Sequence, residues 1–468
     1  MIAHFFKFSK EDILRGPIGK SLFLLSFPLV SSNLFLMTYH LVDTFWLGKI
    51  GSQALAAIAY ALPISFLVVA IGGGIANAGS ILIAQHKGAK NQKGIDYAAT
   101  QTFIFLTLLS FFVSLFGFFA TSPFLRLLGA SESILPLAQS YLQTIFLGIV
   151  LMYWFIMARN FFRGIGDSLS AMWIGFFSAA LNLILDPFLI FGWGIFPRME
   201  VQGAALATII ARGLAAFLGV LLLFRGRMGI HISFQHLKPN FSYLWRLAKL
   251  GFPVSGEISA RSIGIIIILP IISSFGIATV AAYGIGSRFL TLFFMLALGI
   301  SQAVNTMVAQ NLGAGYFLRA RATAFKGALS SFVLFSILGL LLFWQAEFFA
   351  GIFTNEVQIQ KITTQFLQVI SLSLGFFAIM RVFAGAFRGG GATLGAMMIT
   401  FISVFIFLIP LTVVFSKLWG STGIWWAFFV SHVAGAVLAS LWFFFGKWQK
   451  RLVDADAGHK NSAKLSMD

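Results

Sequence analysis

Twelve long stretches of predominantly apolar residues alternate with short polar breaks along the chain, at roughly 18–48, 53–84, 96–121, 133–160, 167–191, 201–224, 243–272, 278–310, 321–345, 357–387, 393–416 and 421–446. A helix of about 20 such residues crosses a hydrocarbon layer, and a helix satisfies its own backbone polar groups where water is absent. The pattern therefore predicts an all-α integral membrane protein with twelve transmembrane helices. It is also written twice. Phe27-Pro28 recurs as Phe252-Pro253, Gly51 as Gly276, Gln85 as Gln310 and Arg163-Gly164 as Arg388-Gly389, each 225 positions apart. Gly203 answers Gly423 at 220, which places about five extra residues in the last loop of the first copy. Six spans fall in each copy, so the chain is expected to form two homologous six-helix bundles around a shared path, the plan of a secondary transporter. The resulting division is a cytoplasmic N-terminus at 1–17, a first lobe at 18–224, a cytoplasmic linker at 225–242, a second lobe at 243–446 and a cytoplasmic tail at 447–468, polar and read as disordered from Trp448 onward.

Composition agrees: hydrophobic residues make up 59% and charged residues 10% of the 468. The net charge of +18 would suggest nucleic acid in a soluble protein, but its placement assigns it to topology instead. With loops assigned alternately, 23 of the 32 Lys and Arg fall on one side, 5 on the other and 4 within spans. The positive-inside rule then puts both termini in the cytoplasm of a bacterial or archaeal cell, with the chain multi-pass in the inner membrane. The bilayer, including its anionic headgroups, is the expected partner and nucleic acid is not. A monomer is expected. Ser9-Lys10-Glu11-Asp12 interrupts the first apolar stretch, so no cleavable signal is expected. With no cysteine, disulfides, thiolate metal sites and cysteine nucleophiles are excluded.

Ionisable side chains within spans are costly and carry most of the functional information. The first copy holds Asp43, Asp186 and Arg212, with His40; the second holds Glu257, Arg261, Arg288 and Arg381, with His432. Tyr39 lies one helical turn before Asp43, and Asn182 one turn before Asp186, so each pair shares a helix face. At about 1.5 Å per residue, Asp43, Asp186 and Thr208 all reach the outer half of the bilayer. Two carboxylates, an amide carbonyl and a hydroxyl suit a hard monovalent cation, possible sodium ligands being Asp43, Asn182, Asp186 and Thr208, and the same acids held close together can instead carry a proton. The duplication supplies a control: at offset 225 the second copy has Ile268, Phe407 and Leu411 in place of Asp43, Asn182 and Asp186. A fold that accepts apolar residues there does not need the acids for packing, which places the ion site in the first lobe alone. The structural alternative is an Asp186–Arg212 ion pair. Arg212 beside Asp186 would leave Asp43 as the proton carrier.

Glu257 and Arg261, four apart, read as a self-neutralising helix pair with a possible gating or substrate role. Arg381 is placed to snorkel, and Arg163 and Arg388 to reach helix carbonyls and lipid phosphate. Lone histidines such as His40 and His432 read as packing. The glycine runs at Gly72–Gly74 and Gly389–Gly391 are not phosphate cradles, and no hydrolase or zinc motif occurs, so no enzyme activity and no cofactor is expected.

The first span, FPLVSSNLFLMTYHLVDTFWLG, the AQHKGA and AQNLGA ends of the second and eighth spans, the repeated Arg-Gly elements, and LNLILDP followed by QGAALAT resemble the multidrug and toxic compound extrusion (MATE) family, in its prokaryotic DinF-like branch. The resemblance covers residues 15–446. It implies a V-shaped arrangement of two bundles open alternately to each side, and efflux of amphipathic organic cations or drugs by antiport against protons or sodium. It places the coupling site at Asp43, Asn182, Asp186 and Thr208, with Tyr39 beside it; Arg212, Glu257 and Arg261 stand as modulators outside the family pattern. The competing reading is a flippase for a lipid-linked sugar, which would use the span arginines to hold pyrophosphate.

The charge split yields a direct test. Cysteines introduced singly at Ser462 and Gly51 should react with an impermeant thiol reagent from opposite sides of the membrane, Gly51→Cys from outside. Labelling of both from the same side would refute the topology.

Overall fold

The computed structural model describes residues 12–226, 229–233 and 236–453, with the side chains of Asp12, His40 and Leu41 outside the described residues. The expectations for the N-terminal ten residues, the tail beyond 453 and the His40 side chain lie outside that set. Ten helices are long and apolar enough to cross a membrane: Ile18–Gly48, Ser52–Gly88, Gln92–Leu127, Ser168–Phe191, Glu200–Phe224, Phe241–Ser273, Ile277–Gly313, Phe317–Trp344, Thr393–Trp419 and Ser421–Phe445. Two more spans are broken, Leu135–Leu147 with Ile149–Gly164 bending by 55° and Val357–Ser371 with Leu374–Gly389 bending by 51°. Counted as one span each, these make twelve, the fourth and tenth being the bent ones.

The spans start and stop where local chemistry dictates. Gly51 and Gly276, at φ 145° and 92°, precede the second and eighth spans. Asn91 and Asp167 cap the third and fifth, their side chains accepting from Gly94 N and Ser170 N at 2.8 and 3.0 Å. Breaks in the fourth and tenth spans fall at Gly148 and at 372–373, again 225 apart. Neither break contains proline, and the apolar pattern runs through both without interruption, which is why the sequence shows each as one straight span. A short helix at Ala346–Phe353 also precedes the tenth span.

The chain divides into two compact units whose boundaries fall within helices. One unit is Gly256–Arg451 together with the chain up to Val30, and the other is Ser31–Ser255 together with the chain from Leu452. The two internal cuts, after Val30 and after Ser255, are themselves 225 apart and each lies two residues past a proline, Pro28 or Pro253. The N-terminal part of the first span thus belongs with the second repeat, and that of the seventh with the first repeat. Glycine makes both arrangements possible. A Cβ on Gly74 would collide with Ser255 Oγ and the Gly251 carbonyl, and one on its repeat mate Gly299 would fall on Val30. Between membrane helices, close approach of small residues supplies packing that the hydrophobic effect does not. Ser255 Oγ adds a hydrogen bond to the Ile71 carbonyl at 3.2 Å.

The 225–242 linker is pinned to the third span. His231 N donates to Asp96 Oδ1 at 2.8 Å, and Gln101 donates to the carbonyls of His236 and Lys238 while accepting from Asn240 N. The start of the C-terminal tail corrects its sequence reading as disordered. Trp448 is 2% exposed and donates to Phe443 O, and Leu452 N donates to Gln85 Oε1 at 2.6 Å. One buried indole outweighs the polar character of the residues around it.

Overpacking at the helix crossings should be measurable. Gly74→Leu and Gly299→Leu are each expected to destabilise the protein by about 1–3 kcal/mol, read as a lower midpoint of thermal unfolding in detergent. Gly73→Ala, where a Cβ meets nothing within 4 Å, should leave the midpoint unchanged or raise it.

Candidate functional site

Three helices of the Ser31–Ser255 unit each contribute two polar residues four apart to one buried cluster: Tyr39 and Asp43 from the first span, Asn182 and Asp186 from the fifth, and Thr208 and Arg212 from the sixth. Asp186 is 0% and Asn182 2% exposed, and Tyr39 and Thr208 are also buried. Asn182 Nδ2 donates to Asp186 Oδ1 at 3.2 Å and to Thr208 Oγ1 at 3.4 Å, tying the fifth and sixth spans together. Pro187 has no N–H to return to the preceding turn, so the helix is loosened beside Asp186. The residues expected to form the site from the sequence are therefore brought together.

Arg212 does not form the ion pair with Asp186 that the structural alternative supposes. Its guanidinium donates to the Tyr39 hydroxyl and stacks over the Tyr39 and Phe155 rings, with centroids 5.6 and 6.0 Å away. Asp43 and Tyr39 feel its charge, whereas the charged neighbour acting on Asp186 is Asp43. The reason for singling out Asp43 as proton carrier thus falls away, since Asp186 has Asp43 rather than Arg212 as its charged neighbour. Three oxygens of the cluster, Asp43 Oδ1, Asn182 Oδ1 and Asp186 Oδ2, are buried with no hydrogen-bond partner among the described residues. Buried polar atoms are rarely left so, and an orphaned set converging from two helices is suited to a cation or a proton. No group of three or more His, Asp or Glu residues able to hold a metal ion occurs among the described residues.

The second repeat fills the same places with a packed apolar core. Ile268 is fully buried and clusters with Phe366, Leu408, Trp425 and Phe428, and Leu411 packs against them. Glu257 corrects another expectation. It does not pair with Arg261 but accepts from Arg381 Nη1 at 2.8 Å and from Arg388 Nη1 at 2.9 and 3.0 Å, with all three side chains buried. Arg388 also donates to Ser301 Oγ at 3.0 Å, so it neither caps a helix nor reaches lipid phosphate, and Arg381 does not snorkel. A carboxylate one turn from Arg261 turns away because two guanidiniums from the tenth span hold it with three charge-assisted hydrogen bonds, which a single i, i+4 partner does not match. Arg163, the repeat mate of Arg388, donates to Asn160 Oδ1. His432 shares a hydrogen bond of 2.9 Å with Ser373 Oγ, in keeping with its reading as packing, and Arg288 lies over Phe353.

Sequence reasoning missed Arg159, counted among the loop charges. It is held inside the first repeat by Ser32 Oγ at 2.9 Å and lies over Phe155. Ser32 is the repeat mate of Glu257, and that correspondence was the available signal that the position faces a guanidinium.

Twelve spans in two repeats, with a buried acidic cluster in one repeat and apolar packing in the other, match the plan of multi-pass membrane transporters. The chain belongs to the MatE family, whose model matches residues 28–188 and again 253–414, starting 253 − 28 = 225 positions apart. Among its relatives, the probable multidrug resistance protein NorM of Thermotoga maritima is 29% identical, covering 95% of this chain and 96% of that protein. The probable multidrug resistance protein YpnP of Bacillus subtilis is 27% identical over 94% and 97%. A relative from Shewanella oneidensis named FAD transporter is 28% identical over 89% and 92%. A crystal structure of MATE in complex with MaL6 superposes with a TM-score of 0.87 at 21% identity, covering 94% of this chain and 98% of that one. The chain is a transporter of the multidrug-efflux kind, not an enzyme.

Removing the shared carboxylate is the sharpest test of the second repeat. Glu257→Gln leaves Arg381 and Arg388 buried without a counter-charge and should cost about 3–5 kcal/mol, seen as a lower unfolding midpoint in detergent. An unchanged midpoint would refute the buried triad.

Proposed function

We propose that the protein is a secondary antiporter that exports amphipathic organic compounds in exchange for a cation taken up at Asp43, Asn182, Asp186 and Thr208. The observation that carries this reading is the set of orphaned buried oxygens on Asp43, Asn182 and Asp186, in a repeat whose twin packs Ile268, Phe407 and Leu411 at the same positions. Two carboxylates this close in a low-dielectric interior are stable together when a proton or a singly charged cation sits with them. Loading therefore changes the charge of the cluster and ties ion occupancy to how the first, fifth and sixth spans pack. That is the coupling an antiporter needs. A proton is the first choice because the cluster holds it with no rearrangement. Sodium would draw its ligands from the two acids, the Asn182 carbonyl and the Thr208 hydroxyl. Arg212, donating to the Tyr39 hydroxyl, places a positive charge near Asp43.

Organic cations are the first export substrates to test, as drugs handled by multidrug exporters. One relative is named FAD transporter, and export of an anionic compound could use the same coupling site. The membrane is read as the inner membrane, with both termini cytoplasmic.

Reconstituted protein should export a fluorescent organic cation when a pH gradient is imposed, with no sodium present. Asp43→Asn and Asp186→Asn should each lower gradient-driven export to the level of protein-free liposomes. Both should purify as folded monomers, since an amide of similar shape removes a costly buried charge. Export by both variants at the native rate would overturn the coupling site. Export that follows a sodium gradient alone would replace the proton with sodium.

A further inference from the structure

The Gly256–Arg451 unit holds a partly open cavity of about 100 Å³, the scale of a single small aromatic group. An irregular turn shapes one wall. Residues Ile402–Leu408 wind as a π-helix, Ile409 N reaching back to Val404 O, and Pro410 follows directly. Such turns recur at functional sites because they splay side chains out of register. Here they bring Thr400, Ser403 and Leu408 to the cavity. Ser403 and Ser431 satisfy one another, with Ser431 Oγ donating to Ser403 O at 2.7 Å and Ser403 Oγ donating to Ser431 O at 3.0 Å.

Ser287, Thr291 and His432 also have partners, but three other polar atoms on the lining do not. Arg261 Nη1, Arg381 Nε and Thr400 Oγ1 are buried on cavity-lining residues with no hydrogen-bond partner among the described residues. Arg381 and Thr400 are 6% and 5% exposed. Glu257 is fully engaged by Arg381 and Arg388, and Arg261 has no acid partner among the described residues. Three guanidiniums against one carboxylate leave this group at 3 − 1 = +2. Both cavity arginines gather on one ring, Arg261 Cζ 3.7 Å and Arg381 Cζ 5.1 Å from the Phe294 centroid. Phe377, Phe428 and Tyr283 complete an aromatic wall.

We propose that this cavity binds an aromatic organic anion, its carboxylate, sulfonate or phosphate taken by Arg261 and Arg381 and its ring system packed among Phe294, Phe377 and Phe428. Buried cations without counter-charge are costly, and planar guanidiniums suit oxyanions bidentately. The same charge repels organic cations. Calling the cavity a substrate subsite rests on the exporter reading, but the binding does not.

Binding is measured at equilibrium without any gradient, so a failure of ion coupling leaves the readout unaffected. Protein in phosphatidylcholine nanodiscs, titrated calorimetrically with benzenesulfonate, should bind it and should not bind benzylammonium. Arg261→Gln should weaken sulfonate binding roughly ten- to hundred-fold, the range of one hydrogen bond to a charged group. Arg261→Lys, retaining charge, should fall between the two. Phe294→Leu, a second variant that keeps both arginines, should weaken binding of the aromatic sulfonate more than that of methanesulfonate. Equal affinity for the ammonium compound, or native affinity in Arg261→Gln, would overturn the proposal. So would Arg261-dependent retention of phosphatidylglycerol, read by native mass spectrometry, without sulfonate binding, because the occupant would then be a lipid headgroup.

Discussion

A polar group carried into the bilayer by a helix has no water to turn to, so its partner must come from inside the protein. That constraint organises the interior of each unit. Glu257 lies between Arg381 and Arg388, Arg159 reaches Ser32, Arg212 reaches Tyr39, and Asn182 bridges Asp186 and Thr208. Where partners run out, function is the better explanation than packing. The orphaned oxygens of the acidic cluster and the orphaned donors of the second cavity have opposite sign, and each defines what would complete it.

The repeat supplies the scaffold on which that divergence rests. Position for position, Asn182 answers Phe407 and Thr208 answers Phe428, while Arg212 answers His432 at the 220 offset. Corresponding spans thus carry an acidic cluster in one copy and an aromatic wall in the other. The copies also share a device that fold-level symmetry alone would not require. The chain leaves each unit two residues after a proline, past Pro28 and past Pro253, and a glycine on a second-position span of the opposite repeat meets it at close range, Gly299 for Val30 and Gly74 for Ser255. Proline removes a backbone hydrogen bond there, so the helix is least self-sufficient at the point where it changes its packing partners.

Within the acidic cluster, geometry changes the chemistry inferred from spacing. An arginine four residues after Thr208 looks like a partner for Asp186, because both lie on neighbouring spans at similar depth. The guanidinium instead takes the Tyr39 hydroxyl and two aromatic faces, leaving the acids to each other and to Asn182. The cluster is then a two-carboxylate unit with a positive charge at its edge, which is a better ion switch than an acid neutralised by a fixed ion pair.

Period and repetition made much of this legible in advance. Apolar length fixed the number of spans, the 225 offset fixed the two copies, and i, i+4 spacing put Tyr39 with Asp43 and Asn182 with Asp186 on common faces, since these follow from helix geometry alone. Other features depend on which helices meet, and no local pattern records that. The bends at Gly148 and 372–373, the π-turn at Ile402–Leu408 and the docking of Trp448 interrupt no apolar run. Glu257 pairs with Arg381 and Arg388 rather than Arg261 because two guanidiniums 124 and 131 residues away, once packed alongside, outcompete a neighbour on the same helix. Sequence spacing determines which side chains share a face; only tertiary packing decides which face meets which, and therefore where the buried charges of this chain find or lack a partner.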